Sequence, residues 1–527
     1  MARRQSALVL GAVFLVSAAS AAPRTRYASQ GESGTIKVMA YDRKGHPLDL
    51  NKFLAYIGRA DRKDPPDPNA SGIVATSPDG LAFQKVTLSQ QGPLILMKWD
   101  RLGRVRLSLP WPIEDDGVST VWADHDGQGF ADGDVVYLNE EIAKTQYRLF
   151  KDAWVRHTKD MDPHYEPGSK AVKFFDKAKD GIAKAESYKE APKRAETFEK
   201  ALYNTALGWE KMLFEHGVQM ARNEKFSKNQ RFGVTLDASI VERMDDYQDV
   251  ISKLSKAGFN WVRLVFRPNP ADFTYDNQRS FNEYDAVVKE LRANGFKIMG
   301  TILDTNQWPS KLTPTIYSER TRNLVLHYSD QIKTWEVGSE INGDWLGGTK
   351  EPLSPDRVFK IFSAGAAQVK NIEPSLETVA TLYWWDGTAP DEVHSLFGWL
   401  TKYAGQGFAR NVDVVAVSFW PEDNPVGTAF EPIFTRLREQ FPEKRFMLGS
   451  FGYVEQNDLK GYWWLHPDDV DGARKDLAIL YAGASCAMER SLCGGFWWQT
   501  LDQMLPAKHR PTDLLRVYKR TLQELGR

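Results

Sequence analysis

The sequence has almost no cysteine. Cys486 and Cys493 are its two thiols, too few for a structural zinc site or a disulfide scaffold. They leave two options, one short disulfide loop or a pair of buried thiols. Charge of one sign is also lacking: Lys+Arg is 68 against Asp+Glu 69. A nucleic-acid binder usually carries a basic surplus, so that class is excluded. Beyond residue 22 there is no long apolar run, so no membrane anchor is expected. A Gly-rich phosphate loop is absent as well. Gly233-Val234-Thr235-Leu236-Asp237 follows a strand pattern but offers no phosphate cradle. No paired-histidine motif ends that strand, so neither a metal nor another cofactor is implied.

What is present begins with a leader. Arg3 and Arg4 precede an apolar stretch at residues 7–16, and Ala19-Ser20-Ala21-Ala22 offers a small-residue cleavage site. That pattern predicts a secretory signal over residues 1–22 and a secreted or periplasmic product. The length of 527 residues predicts two or three domains. Residues 34–150 read as short strands separated by turns, which suggests a β-sandwich ancillary domain. Asp124-His125-Asp126-Gly127-Gln128-Gly129, with Asp132 and Asp134, resembles a calcium loop in composition. It lacks the twelfth-position Glu and a preceding helix, so an acidic turn is expected. Residues 151–228 read as a helical connector. One helix is predicted over 169–190, and a second starts at Pro192. Phe198, Leu202, Trp209, Leu213 and Met220 share one face of the second.

From residue 229 to 527 strands and helices alternate. Strand-like runs begin near Phe232, Trp261, Lys297, Ile332, Thr378, Val412, Arg445 and Gly495. Gly258 and Gly295 each follow a helical stretch at the position of a left-handed cap. Eight such units predict a (β/α)8 TIM barrel, so the fold class is α/β with an N-terminal β-sandwich and a helical connector.

In such barrels chemistry sits at the C-terminal strand ends. There the run Thr334-Trp335-Glu336-Val337-Gly338-Ser339-Glu340 finishes an apolar strand on a carboxylate. A carboxylate in a cleft has a raised pKa, which suits a general acid. Trp308, Trp345, Trp384, Trp385, Trp420, Trp463, Trp464, Trp497 and Trp498 fall at the same ends, nine of the 17 Trp in the chain. Tyr383 joins them. Sugars stack their apolar faces on such rings, so the rim suits a carbohydrate, with part of the belt only packing loops.

These motifs resemble the clan A glycoside hydrolases over roughly residues 229–527. In that clan a general acid/base Glu ends strand four and a nucleophile Glu ends strand seven. The resemblance makes Glu340 the acid/base, Arg263 in Trp261-Val262-Arg263-Leu264 the strand-two Arg, and Phe496-Trp497-Trp498 the strand-eight aromatic motif. It implies that Arg263, Trp308, Trp345, Tyr383, Trp420, Ser450, Trp497 and Trp498 contact the sugar. Two positions depart from the pattern. Ser339 stands where Asn usually precedes the acid/base, and Ser450 stands at the nucleophile position. A neutral Ser cannot stabilise an oxocarbenium-like centre as a carboxylate does.

Three readings follow. Another rim carboxylate supplies the second function, the candidates being Glu455, Asp304, Asp237, Asp386, Glu422 and Asp502. At about 6.5–9.5 Å from Glu340 such a group would make the enzyme inverting. Alternatively the substrate provides its own nucleophile, or the barrel only binds glycan. A serine hydrolase is not expected, because His327 reads as mid-helix and His394 as a helix start. The expected partner is a polysaccharide or oligosaccharide, with no nucleic acid; nothing in the sequence sets an oligomeric state.

Overall fold

The computed structural model describes residues 31–58, 71–77, 83–113, 117–223, 225, 229–237, 239–242, 246–267, 282–348, 350–385, 387–453, 470–506 and 510–527. The expected leader, Asp386, Glu455, Trp463 and Trp464 lie outside the described residues.

The N-terminal part has eight strands: β1 (Gly34–Met39), β2 (Val74–Thr76), β3 (Phe83–Lys85), β4 (Thr87–Gln91), β5 (Leu94–Trp99), β6 (Arg106–Ile113), β7 (Gly117–Ala123) and β8 (Val135–Tyr137). They form two four-stranded sheets, ordered β4-β5-β1-β8 and β3-β2-β6-β7. In β1 the period-two pattern sends Ile36 and Val38 inward and Lys37 outward. Ile36, Val38, Ile95 and Met97 of one sheet share a core with Leu107, Trp111 and Val121 of the other. Helix α1 (Leu50–Ile57) adds Phe53 and Leu54 to that core. Its N-terminus is capped by Asp49, which accepts the Lys52 N–H at 2.9 Å.

The strand-like reading of residues 138–150 is corrected. They belong to helix α2 (Leu138–Val155), which buries Leu138, Ile142, Ala143, Gln146, Phe150 and Ala153 at helical spacing. The helix leaves β8 directly, with Tyr137 at the cap position and no side-chain cap. The acidic turn packs on α2: Asp124 accepts from the Gly127 N–H and the Thr145 hydroxyl and pairs with Arg148. Helices α3 (Ser169–Ser187) and α4 (Ala191–Arg222) follow. The stripe on α4 serves two cores. Phe198 and Leu202 enter the core of the two sheets, and Trp209 and Leu213 enter that of the barrel.

The barrel strands are β9 (Arg231–Leu236), β10 (Trp261–Val265), β11 (Lys297–Thr301), β12 (Thr334–Gly338), β13 (Glu377–Tyr383), β14 (Val414–Phe419), β15 (Arg445–Phe451) and β16 (Gly494–Trp497). Each begins within two residues of its expected position. All neighbours are parallel, and β16 pairs with β9 to close an eight-stranded barrel. Gly258 (φ 101°) and Gly295 (φ 83°) stop the helices before β10 and β11 in the left-handed conformation. Inside the barrel, Trp261, Met299, Val379, Val414, Met447 and Phe496 pack an apolar plug. Below it Glu377 pairs with both Arg231 and Arg445. The lower end is therefore filled, which leaves the C-terminal strand ends as the open face. Cys486 and Cys493 are joined as a disulfide just before β16. Among the described residues no helix is long and apolar enough to cross a membrane.

Candidate active site

β12 ends at Gly338, and the chain then turns sharply. Glu340 adopts a positive φ of 50°, a conformation that strains a residue with a Cβ and often marks a functional position. Asn342 holds the turn. Its amide donates to the Tyr383 and His394 carbonyls at 3.0 and 2.8 Å and accepts the Tyr383 N–H at 2.7 Å. The carboxyl of Glu340 is thereby fixed beside Trp420, whose indole N–H it accepts at 3.0 Å. Burial is the main force on this carboxyl and lifts its pKa to about 7. The Asp304 charge adds to the rise, while the Trp420 hydrogen bond and the Arg263 charge oppose it.

Arg263 organises the floor from β10. It is fully buried. Its Nε donates to Glu336 at 2.8 Å, and its Nη2 donates to Asp304 at 2.8 Å and to Ser339 at 3.0 Å. The Ser339 hydroxyl in turn donates a hydrogen bond to Asp304 at 2.9 Å. Glu336 also accepts the Thr301 hydroxyl at 2.7 Å and that of Thr381. Burial alone would lower the guanidinium's pKa, and the Glu336 and Asp304 charges more than reverse it. The guanidinium lies 5.1 Å from the Trp498 ring centre, within cation–π range. Arg263 therefore ties β10, β11 and β12 together beneath the cleft.

Above this floor lies an open cleft of about 520 Å³. Trp345, Tyr383, Trp420 and Trp498 line it, together with Asp304, Ser339, Glu340, Glu422, Asp423 and Ser450. Of these, Trp345, Tyr383, Trp420, Trp498, Asp304, Glu340, Glu422 and Ser450 are expected residues that the structure brings together. Others lie elsewhere. Trp308 is buried against Tyr317, with ring centres 5.2 Å apart. Trp497 is buried against Phe451 and Tyr518 and donates to Gln503 at 3.0 Å. Trp384 is buried, and Trp385 packs behind Trp345 and Tyr383. Asp237 is exposed and folds back on the Ser239 N–H and hydroxyl at 2.9 and 2.6 Å. Asp502 is exposed in the first turn of helix Thr500–Met504.

Asp304 is held in place from two directions. It takes Arg263 and Ser339 on one side and caps the short helix Thr305–Gln307 on the other. Ser450 sits at the end of β15, buried and facing the cleft. Sequence reasoning passed over Glu336 as a site residue, although a Glu inside a five-residue buried strand is itself a signal. It also passed over Asp423 and Asn424, which carry no such signal. Among the described residues no group of His, Cys, Asp and Glu is arranged to hold a metal ion.

No family model and no curated protein matches the sequence. Among solved structures the chain is similar to one of two fungal beta-1,4-galactanases (14% identity, TM-score 0.43, 55% of this chain and 99% of that one). It is similar also to the GH53 catalytic domain of Ignisphaera aggregans (15%, 0.41, 55% and 95%). A third is PbGH5A, a glycoside hydrolase family 5 enzyme from Prevotella bryantii (12%, 0.40, 56% and 97%). At these identities and scores the chemistry has to be read from this chain's own residues.

Proposed function

We propose that this chain is an exported glycoside hydrolase that cleaves a polysaccharide or oligosaccharide, with Glu340 as general acid. The observation that carries this is the Glu340 carboxyl, buried in an aromatic cleft with a pKa of about 7. A group with that pKa is about half protonated at pH 7 and can give its proton to a leaving oxygen. The sugar ring stacks on Trp345, Trp420 or Trp498, which aligns the glycosidic oxygen with Glu340. Asp304 supports the acid electrostatically. Fixed by Arg263 and Ser339, its charge disfavours ionisation of Glu340.

The second carboxylate does not stand at the end of β15, where Ser450 is. Asp304 is committed to Arg263 and Ser339. We assign the activation of water to Glu422 or Asp423, which follow β14 and line the cleft with Glu340. With water between the carboxylates and no covalent intermediate, the reaction inverts the anomeric centre. Ser450 also favours a second reading, a glycan-binding protein that uses the same cleft without hydrolysis.

The test is reducing-sugar release from plant, bacterial and fungal polysaccharides by wild type and Glu340→Gln. Cleavage of one polymer, slowed by roughly a hundredfold or more in the variant, supports the acid role. NMR of the first product's anomer then reads the stereochemistry. If neither protein cleaves any polymer and both bind a glycan equally, the binding reading replaces hydrolysis.

A further inference from the structure

Two loops of the barrel rim are pinned by the N-terminal sheets. The loop after β13 touches them at Gly387. A Cβ added there would lie 1.8 Å from the Gly72 carbonyl oxygen, so only glycine allows this approach. The loop after β14 touches them at Pro425, whose carbonyl accepts the Thr120 hydroxyl of β7 at 2.6 Å. The residues next to these two contacts, Thr388 and Asn424, hydrogen-bond to each other through the Thr388 hydroxyl and Asn424 Oδ1. Asn424 is buried, and its Nδ2 donates to the Tyr383 hydroxyl at 3.1 Å. Tyr383 itself lines the cleft with Glu340.

We infer that Asn424 is a positioning residue for the cleft, and that the N-terminal sheets act through it to hold the Tyr383 hydroxyl where a bound glycan meets Glu340. This rests on the proposed hydrolase reading. The phenol oxygen accepts from Asn424, which turns its own proton away from Asn424. Burial, followed by the Asp423 and Glu340 charges, keeps the phenol's pKa well above its ordinary value. Tyr383 is therefore a permanent hydrogen-bond donor, suited to a sugar hydroxyl or the glycosidic oxygen. The N-terminal sheets are then a wall that fixes the geometry of the cleft, rather than a module tethered beside it. The coupling passes through two short side-chain contacts, so it can be cut at a single residue.

The test is a double-mutant cycle on the glycan that wild type cleaves, with kcat and KM measured separately. Tyr383→Phe and Asn424→Ala are each expected to lower kcat/KM by about tenfold, the size of one hydrogen bond to substrate. The double variant should be no worse than either single one, because both remove the same interaction. Thr120→Val, cut at the sheet side, should lower kcat/KM in the same direction by about threefold. Melting temperature and the alkaline limb set by Glu340 are measured for every variant. Loss of rate with that limb unmoved is the result expected of a positioning role. Losses that multiply to about a hundredfold in the double variant, or wild-type rates in Asn424→Ala, would overturn the inference while leaving the hydrolase reading intact. If wild type neither cleaves nor binds any glycan, the hydrolase reading fails, and the inference falls with it.

Discussion

Two buried glutamates of the barrel have their pKa values pushed in opposite directions. Glu340 at the end of β12 has its pKa lifted to about 7. Glu431, in the first turn of helix Phe430–Gln440, has its pKa held down to about 2. Burial pushes both upward. At Glu340 it prevails, because the Trp420 N–H is set against the like charge of Asp304. At Glu431 it is outweighed by the His157 ring at 2.9 Å, the Arg156 guanidinium and the Trp209 indole. The helix N-terminus favours the anion further. Glu431 clasps α4 and the turn just after α2 to the barrel, so a well-partnered carboxylate holds structure. At Glu340, in an open cleft, burial outweighs the hydrogen bond from Trp420, and that condition allows a proton to move.

Removing each group should break the comparison in different ways. The largest effect is expected from Glu431→Gln. It leaves the Arg156 guanidinium without its buried counter-charge and should lower stability by about 3–5 kcal/mol in urea unfolding, with activity per folded molecule retained. Glu340→Gln should do the reverse. Its rate should fall by roughly a hundredfold or more, about 2.7 kcal/mol of barrier, and its stability at pH 8 should exceed that of wild type.

The sign of that stability gain follows from proton linkage. Glu340 has a folded pKa of about 7 against about 4.3 in the unfolded chain. Its contribution to stability is full below about pH 4.3 and is lost as pH rises to 7, a change of about 4 kcal/mol. Glu431 has a folded pKa of about 2, below its unfolded value of about 4.3. Its contribution is present above about pH 4.3 and is lost as pH falls toward 2, by a similar amount. Urea midpoints from pH 3 to 8 should therefore flatten on the alkaline side in Glu340→Gln and on the acid side in Glu431→Gln. The smallest effect is expected for Trp420→Phe. It removes a donor from the Glu340 carboxylate, so the alkaline limb of kcat/KM should move up by about 0.5–1 pH unit.

Much of the barrel was legible because its strands are apolar runs and its early helices stop on Gly258 and Gly295. Helix α2 was not, because Tyr137 links it to β8 with no Ser, Thr, Asp or Asn to punctuate the change. At the site, Glu340 could be found as a carboxylate ending an apolar strand. Glu336, two turns of the pleat earlier, stood out as a Glu inside a buried strand, but its partners Arg263, Thr301 and Thr381 come from β10, β11 and β13 and meet it only when the barrel closes. Trp497 and Trp498 show the same limit. Neighbours in a strand point to opposite sides, so one is buried against Tyr518 and the other lines the cleft. Sequence put both on the rim, but the choice between inside and outside depends on register with β15. Asp237 and Asp304 both follow strands, and their local turns send the first to solvent and the second to Arg263.

The difference between the two glutamates can be measured without a substrate. Carboxyl carbons labelled with 13C on Glu can be titrated by NMR, with Glu340→Gln and Glu431→Gln assigning the two resonances by their disappearance. The expected midpoints are near 7 for Glu340 and near 2 for Glu431. A Glu340 midpoint near the ordinary 4.3 would mean that the cleft does not hold a protonated acid at neutral pH, and would contradict its role as the general acid.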